Sequence, residues 1–151
     1  MNDYREFQFS WLMVVILIPI QLWMTYLLVN GIGDRPMTLD IFLFVSGLFL
    51  LVSLLFYGMT TKVDREKITL SFGIGLIRKK IQLNRIKSID TVKNPWYYGW
   101  GIRLIPNGWL YNVSGLNAVE LRFNDKNGVI RIGTKDSNKL KNEISNRLTK
   151  S

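Results

Sequence analysis

Residues 11–29 read WLMVVILIPIQLWMTYLLV, and the whole of residues 7–33 carries no charged side chain. At about 1.5 Å per residue, a helix of this length crosses the roughly 30 Å hydrocarbon core of a bilayer. Trp11 lies near one end of the stretch, and Trp23 and Tyr26 lie near the other. Aromatic rings are favoured at the two membrane interfaces. The stretch is therefore predicted to be a transmembrane helix.

A second uncharged stretch follows after a short linker. Residues 41–57 read IFLFVSGLFLLVSLLFY, and residues 30–40 are rich in turn formers and too short for a domain. Small residues let neighbouring transmembrane helices approach closely, and this stretch contains Ser46, Gly47 and Ser53. The two helices are predicted to run antiparallel as a hairpin.

These stretches divide the chain at about residue 61. Residues 1–61 are predicted to hold an N-terminal tail and the transmembrane hairpin, with helices at about 9–29 and 40–58. Residues 62–151 are predicted to form a separate cytoplasmic domain.

Two other interpretations compete with the hairpin. A signal peptide has a shorter apolar part, about 7–15 residues, and a small-residue cleavage site. Two helices buried in a soluble core would need a larger surrounding domain than this chain provides.

The positive charge lies in the second part of the chain. Of a net charge of +9, residues 1–61 contribute −2 and residues 62–151 contribute +11. Lys and Arg near membrane ends favour the cytoplasmic side. The linker carries only Arg35, whereas Lys62 and Lys67 belong to a basic segment directly after the second helix. Both termini of a multi-pass plasma-membrane protein are therefore predicted to be cytoplasmic, with the domain facing anionic lipid.

After Thr61 the apolar residues recur with a period of two. Ile68, Leu70 and Phe72 alternate with polar residues, and residues 76–82 follow a glycine-containing turn. This alternation is typical of strands with one buried face.

The same period returns later in the chain. Residues 119–123 and 129–132 flank the polar loop 124–128, which predicts a β-hairpin. Leu140 and Ile144 then begin a spacing of four that predicts an amphipathic helix.

The helix is expected to begin with Asp136 or Ser137 as its N-cap. Short strands followed by one terminal helix indicate an α+β fold, in which the helix caps a bent antiparallel sheet or partial barrel. The predicted architecture is thus an N-terminal two-helix transmembrane hairpin followed by this domain.

After the second helix, seven short motifs follow one another in the chain: Thr60-Thr-Lys-Val63, Phe72-Gly73, Ile81-Gln-Leu-Asn-Arg-Ile86-Lys-Ser-Ile89, Tyr98-Gly-Trp-Gly-Ile-Arg103, Tyr111-Asn-Val-Ser-Gly115, Ala118-Val-Glu-Leu121 and Ile132-Gly-Thr134. With these motifs, residues 60–150 resemble the small, membrane-anchored type of bacterial pleckstrin-homology-like (PH-like) domain proteins. The resemblance implies a seven-stranded, strongly bent antiparallel sheet capped by the C-terminal helix. It implies no common activity, because these motifs are structural.

The sequence contains no pattern typical of catalysis. The chain has neither cysteine nor histidine, which removes the commonest general base, metal ligand and thiol nucleophile. The seven acidic residues after residue 61 are scattered singly. We therefore predict no enzyme activity, no cofactor and no metal site.

An aromatic cluster is the first candidate site. Trp96, Tyr97 and Trp100 lie in a segment that Pro95 and Gly99 mark as a loop. Such rings fit the lipid headgroup layer, and they equally fit the core of a small barrel. The sequence leaves these two interpretations open.

A basic tract is the second candidate site. Arg78, Lys79 and Lys80 are consecutive, and Arg85 and Lys87 follow closely. Each cation near an anionic membrane contributes about 1 kcal/mol of binding. The competing interpretation is a solvated strand face.

These features suggest a membrane-anchored binding or scaffold module that presents its basic β domain to a protein partner or to further copies of itself. The alternative is sensing of anionic lipid by the basic and aromatic residues. Nucleic-acid binding is not expected, because no recognition helix or stacking motif accompanies the charge.

The orientation is testable because the chain has no cysteine of its own. A single cysteine introduced by Ile32→Cys should react with a membrane-impermeant maleimide in intact cells, whereas Asn124→Cys should react only after permeabilisation. Protection of residue 32 in intact cells would contradict the predicted topology.

Overall fold

A computed structural model describes residues 3–32, 36–125 and 127–149. Arg35, on which part of the orientation argument depends, lies outside the described residues. The helices are α1 (Trp11–Asn30), α2 (Leu39–Phe56) and α3 (Ser137–Leu148), with 3-10 turns at Leu83–Arg85 and Trp96–Tyr98. The strands are β1 (Tyr4–Phe9), β2 (Gly58–Val63), β3 (Lys67–Phe72), β4 (Ile77–Gln82), β5 (Ile86–Lys93), β6 (Gly101–Ile105), β7 (Gly108–Asn112), β8 (Asn117–Phe123) and β9 (Val129–Gly133). The predicted α+β class, with two apolar helices first and one helix last, is confirmed.

Helices α1 and α2 are long and apolar enough to cross a membrane. Met24 is the one buried residue of α1, and α2 has none. The core helix of a soluble protein would be largely buried, so these two helices are not core helices of the β domain. Gln21 Nε2 donates to Ser46 Oγ across the hairpin at 2.8 Å. Gly47, in contrast, faces open space rather than the neighbouring helix.

The predicted N-terminal tail contains a strand, β1, that the sequence analysis missed. β1 pairs antiparallel with β2 along its whole length, from Tyr4 opposite Val63 to Phe9 opposite Gly58. The border predicted at residue 61 therefore falls inside β2, and α2 ends at Phe56 rather than at residue 58. The helical hairpin is an insertion between two adjacent strands of one sheet.

The strands form two sheets, not one antiparallel sheet. The first has the order β1-β2-β3-β4 and the second the order β5-β8-β9-β7-β6. The prediction of antiparallel pairing throughout is wrong for β7 and β9, which run parallel. The reason is that β9, after turning back from β8, inserts between β8 and β7. Gly108 permits this approach, because a Cβ at residue 108 would overlap the carbonyl of Val129. Within the described part of the chain, the region to which the resemblance applies contains eight strands, β2–β9, one more than the seven that the resemblance implies.

The inner faces of both sheets and one face of α3 form the core. The predicted alternation in β3 is confirmed, since Ile68, Leu70 and Phe72 are all buried. The predicted hairpin of β8 and β9 is confirmed as well. Helix α3 places Leu140 and Ile144 in this core. Of the two predicted N-caps, Asp136 and Ser137, the cap is Asp136, whose Oδ1 accepts from the backbone N–H of Lys139 at 2.9 Å.

The C-terminal end of α2 is held by the turn between β3 and β4. The backbone N–H of Ile74 donates to the carbonyl of Leu54 at 3.1 Å, and the N–H of Gly73 donates to the carbonyl of Gly58 at 2.8 Å. The last carbonyls of a helix have no partner within the helix, so this turn satisfies one of them. Phe56 and Phe72 pack edge to face, with ring centroids 6.2 Å apart. The helical hairpin is therefore packed directly on the sheet.

Gly73 is the residue on which this junction should depend most. Its φ is +50°, and an added Cβ would overlap the carbonyls of Leu54 and Leu55. Gly115 has a φ of +74° but open space around it. Gly115→Ala should cost only the left-handed backbone strain, about 1–2 kcal/mol, and Gly73→Ala at least twice as much, because the overlap adds to the strain. Thermal unfolding in detergent checks this, and equal losses would contradict the packing described here.

Candidate functional site

Candidate residues gather where the helices leave the sheets. We call this side of the domain the helix-proximal end. It contains the junctions at Ser10 and Tyr57, the turn of residues 73–76 and the loop of residues 94–100. The opposite end, with the turn at residues 106–107 and with residues 124–125 and 127–128, is called the far end.

The loop of residues 94–100 divides the predicted aromatic cluster. Trp96 and Tyr97 are 75% and 67% exposed, so neither ring belongs to the core. Tyr98 is half-buried, and the guanidinium of Arg131 lies over its ring, 5.9 Å from the centroid. Tyr98 therefore fastens the loop to the second sheet, while its two neighbours project from the surface.

Trp100 is more buried than Trp96 and Tyr97, although all three side chains line one cavity. Its indole is partly buried and lines a cavity between the loop and the first turns of α1. Gly99 adopts φ 69° and ψ −160°, a backbone conformation that is essentially confined to glycine. This conformation turns the chain between Tyr98 and Trp100 and separates their side chains.

Other exposed apolar side chains occupy the same end of the domain. Ile74 and Leu76 lie in the turn that holds α2, and Phe9 lies at the end of β1. Single exposed apolar residues are ordinary on a protein surface, but a contiguous group is characteristic of an interaction surface. Together with Trp96 and Tyr97, these residues lie around the base of the helical hairpin.

The basic tract is split by the period of its strand. Arg78 and Lys80 lie on the outer face of the first sheet, and Lys79 lies on the opposite face, paired with buried Leu70. Cross-strand neighbours share a face of the sheet. One row of such neighbours runs across the four strands from Arg5 through Lys62 and Thr69 to Lys80. The structure thus adds Arg5 and Lys62, distant in sequence, to Arg78 and Lys80.

The cations of this outer face differ in their partners. Lys62 Nζ lies 3.0 Å from a carboxylate oxygen of Asp3 and 3.0 Å from one of Asp64. Arg78 is exposed, and its Nε donates to the carbonyl of Gly75 at 2.7 Å. With Phe7, Arg78 lines a shallow depression of about 520 Å³ beside the helix junction. The positive charge available to a ligand therefore comes from Arg5, Arg78 and Lys80 rather than from Lys62.

The structure does not bring Arg85 and Lys87 to the tract. Arg85 forms an ion pair with Asp125 at the far end. Lys87 lines a polar pocket of about 440 Å³ there, together with Glu120, Arg122 and Arg131. Grouping these cations by sequence distance was wrong, because the 3-10 turn of residues 83–85 carries the chain from the first sheet to the second.

Glu120 is a charged residue that the sequence analysis did not single out. Its carboxylate accepts from Arg131 Nε at 2.8 Å and from Arg122 Nε at 3.1 Å. Burial raises the pKa of Glu120, but the hydrogen bonds and charges of Arg131 and Arg122 outweigh burial, and the net pKa lies below the usual range. The hairpin of β8 and β9 was predicted, and its register places Glu120 opposite Arg131. This opposite-charge pair is the feature of the sequence that indicates the ion pair.

Comparison with known proteins adds no relative. No protein-family model, no curated protein and no solved structure matches the chain. Among the described residues, no group of three or more acidic side chains is placed to hold a metal ion. The function is therefore argued from the geometry above.

The ion pairs of Glu120 predict a pH-dependent stability. Because the folded-state pKa of Glu120 is lowered, its contribution is complete above the usual glutamate pKa and is lost as the pH falls through the folded-state value. Glu120→Gln should cost about 2–3 kcal/mol at pH 7, and the difference from the unmodified chain should shrink below about pH 4. Chemical denaturation at several pH values measures this.

Glu66→Gln is the matched control for this variant. Glu66 is exposed in the turn between β2 and β3, so the same chemical change there should alter stability little. A Glu120→Gln deficit that persisted unchanged at pH 3 would contradict the assignment.

Proposed function

We propose that this chain is a membrane-anchored binding module. Helices α1 and α2 span the plasma membrane as a hairpin, and the β domain lies against the cytoplasmic leaflet with both termini in the cytoplasm. The PH-like identity of the domain is part of this proposal. The observation that carries it is the presence of exposed aromatic rings, exposed apolar residues and the exposed guanidinium of Arg78 at the end where the helices leave the domain.

Membrane insertion is supported by what surrounds α1 and α2. Their apolar side chains are exposed along both helices, and burying such surface from water is the main driving force available to the chain. A bilayer supplies that burial without any larger domain.

The connections between helices and strands are too short to let the domain move away. Ser10 alone separates β1 from α1, and Tyr57 alone separates α2 from β2. The helix-proximal end must then lie at the depth where the helices emerge. Trp96 and Tyr97 would occupy the headgroup layer, which favours amphipathic rings.

Anionic headgroups are the ligand that the charge of this surface fits. Arg5, Arg78 and Lys80 lie on one face of the first sheet, with Arg78 next to the helix junction and Lys80 at the other end of its strand. A cation near an anionic leaflet contributes about 1 kcal/mol, so Arg78 should contribute most. Anchoring raises the local concentration of headgroups, so modest individual contacts are sufficient. The domain would be held in one orientation, with its far end presented to the cytoplasm.

The competing occupant of this surface is a protein, either a partner or a further copy of the chain. With a protein bound there, the chain would act as a scaffold. The polar far end, with Lys87 and Arg122, would be accessible to a cytoplasmic partner in either case. A probe attached at the helix-proximal end would contact lipid if lipid occupies this surface and protein if a partner occupies it.

A single nitroxide label distinguishes lipid from water and from protein. Tyr97→Cys, labelled in the full chain in nanodiscs containing anionic lipid, should be accessible to oxygen and shielded from a water-soluble nickel chelate. Asn124→Cys at the far end is the control and should show the reverse. Equal chelate access at both positions would contradict the proposal, and an immobilised label shielded from both reagents would assign the surface to protein.

The role of charge has a control on the same strand. The domain cannot detach, but it can tilt about the helix junctions, and Arg78→Gln should lower the salt concentration at which this tilt makes the label at residue 97 accessible to chelate. Lys79→Gln removes an equal charge from the opposite face and should change this concentration much less. If the two variants behave alike, the outer face has no special role.

A further inference from the structure

A cavity at the helix-proximal end lies between the two parts of the molecule. Its volume is about 470 Å³, within the range of small-molecule sites. The residues that matter to its chemistry are Leu12, Met13, Ile16, Phe56, Trp100 and Arg103. The first three belong to the first two turns of α1, so the cavity begins where the helix begins.

The wall formed by the helices is apolar. Leu12, Met13 and Ile16 offer aliphatic side chains and a thioether, and Phe56 from the end of α2 adds a ring. Hydrocarbon is the natural occupant of such a wall. On the proposed function, this wall lies just below the headgroup layer, where lipid acyl chains begin.

The wall formed by the β domain supplies a hydrogen-bond donor without a partner. Trp100 Nε1 is buried and has no hydrogen-bond acceptor among the described residues. An unsatisfied buried donor costs about 1–3 kcal/mol, and most such groups in folded proteins have a partner. In the structure this nitrogen is almost fully covered, so a ligand oxygen reaches it only when the indole turns toward the cavity.

A cation lies beside this donor. Arg103 Nε donates to the carbonyl of Trp100 at 3.1 Å, which holds the side chain across the loop. The residue is exposed, and its guanidinium lies beside Gly99. A guanidinium at the mouth of an apolar cavity favours a phosphate group.

We infer that this cavity binds one anionic phospholipid molecule of the cytoplasmic leaflet. One acyl chain packs against Leu12, Met13 and Ile16, the phosphate binds Arg103, and an oxygen of the headgroup region accepts from Trp100 Nε1. This inference rests on the proposed function and adds to it a specific site, because general contact with headgroups requires neither the indole N–H nor a cavity.

Native mass spectrometry of the full chain tests the site. Released from mild detergent with added phosphatidylglycerol, the chain should retain one lipid in preference to a second. Trp100→Phe keeps a ring and deletes the N–H, and it should weaken retention about tenfold. Trp109→Phe, on β7 outside the cavity lining, is the matched control and should leave retention unchanged.

Arg103→Gln is a second variant, needed in case Trp100→Phe does not fold. Arg103 is exposed, so its replacement should leave the fold intact and weaken lipid retention about tenfold. Inorganic phosphate in excess should not displace the lipid, since it offers nothing to the apolar wall. Displacement by phosphate, no preference for a first lipid, or equal retention by the three variants would overturn the inference.

A label introduced by Leu76→Cys separates this inference from the proposed function, because Leu76 is exposed at the helix-proximal end and lies outside the cavity lining, to which Tyr97 belongs. In Trp100→Phe the label should stay in the headgroup layer, because the outer-face cations and exposed rings are intact. Loss of the single lipid with an embedded label supports the site. A water-exposed label in the unmodified chain overturns the proposed function, whatever the lipid count.

Discussion

The pairing of β1 with β2 joins the two parts of this molecule. These strands are adjacent in the first sheet although the whole helical hairpin lies between them in the chain. Adjacent strands are about 4.8 Å apart, so the ladder brings the start of α1 and the end of α2 together. The hydrogen bond from the N–H of Ser10 to the carbonyl of Tyr57, at 2.8 Å, closes the base of the hairpin. The orientation of the helices relative to the sheets follows from this ladder.

β1 also connects the two sheets, and it does so with polar side chains. Gln8 is fully buried and donates from Nε2 to the carbonyl of Gly133 at 2.7 Å. Glu6 accepts from the hydroxyl of Thr134 and from the N–H of Lys135. Buried polar groups are stable only when they are hydrogen-bonded, so these bonds specify one placement of β1. With Glu6 and Gln8 facing inward, Arg5 and Phe7 face outward and join the candidate surface.

The candidate surface is assembled from cross-strand neighbours rather than from sequence neighbours. Within β4, side chains alternate between the faces, so three consecutive cations cannot act on one ligand surface. Strand pairing places Lys79 on the opposite face and brings Arg5 and Lys62, from other strands, to the face that holds Arg78 and Lys80. The same rule applies to Glu120 and Arg131, which lie far apart in sequence and opposite each other on β8 and β9. Charge in this domain is organised by register.

The sequence by itself determined the elements whose signals lie within a short stretch of chain. The uncharged stretches specified α1 and α2, the period-two alternation specified β3 and the hairpin of β8 and β9, and Asp136 specified the start of α3. β1 was missed because Phe7 and Phe9 face outward and Gln8 faces inward, the reverse of the usual pattern. Its partners in β2 and near Gly133 are distant in the chain, and no local pattern contains them. The parallel pairing of β7 with β9, the separation of Trp100 from Trp96 and Tyr97, and the division of the basic tract were likewise decided by tertiary structure. In each case the reason is the same: long-range packing and strand register choose the face a residue occupies, whereas the sequence reports only the alternation.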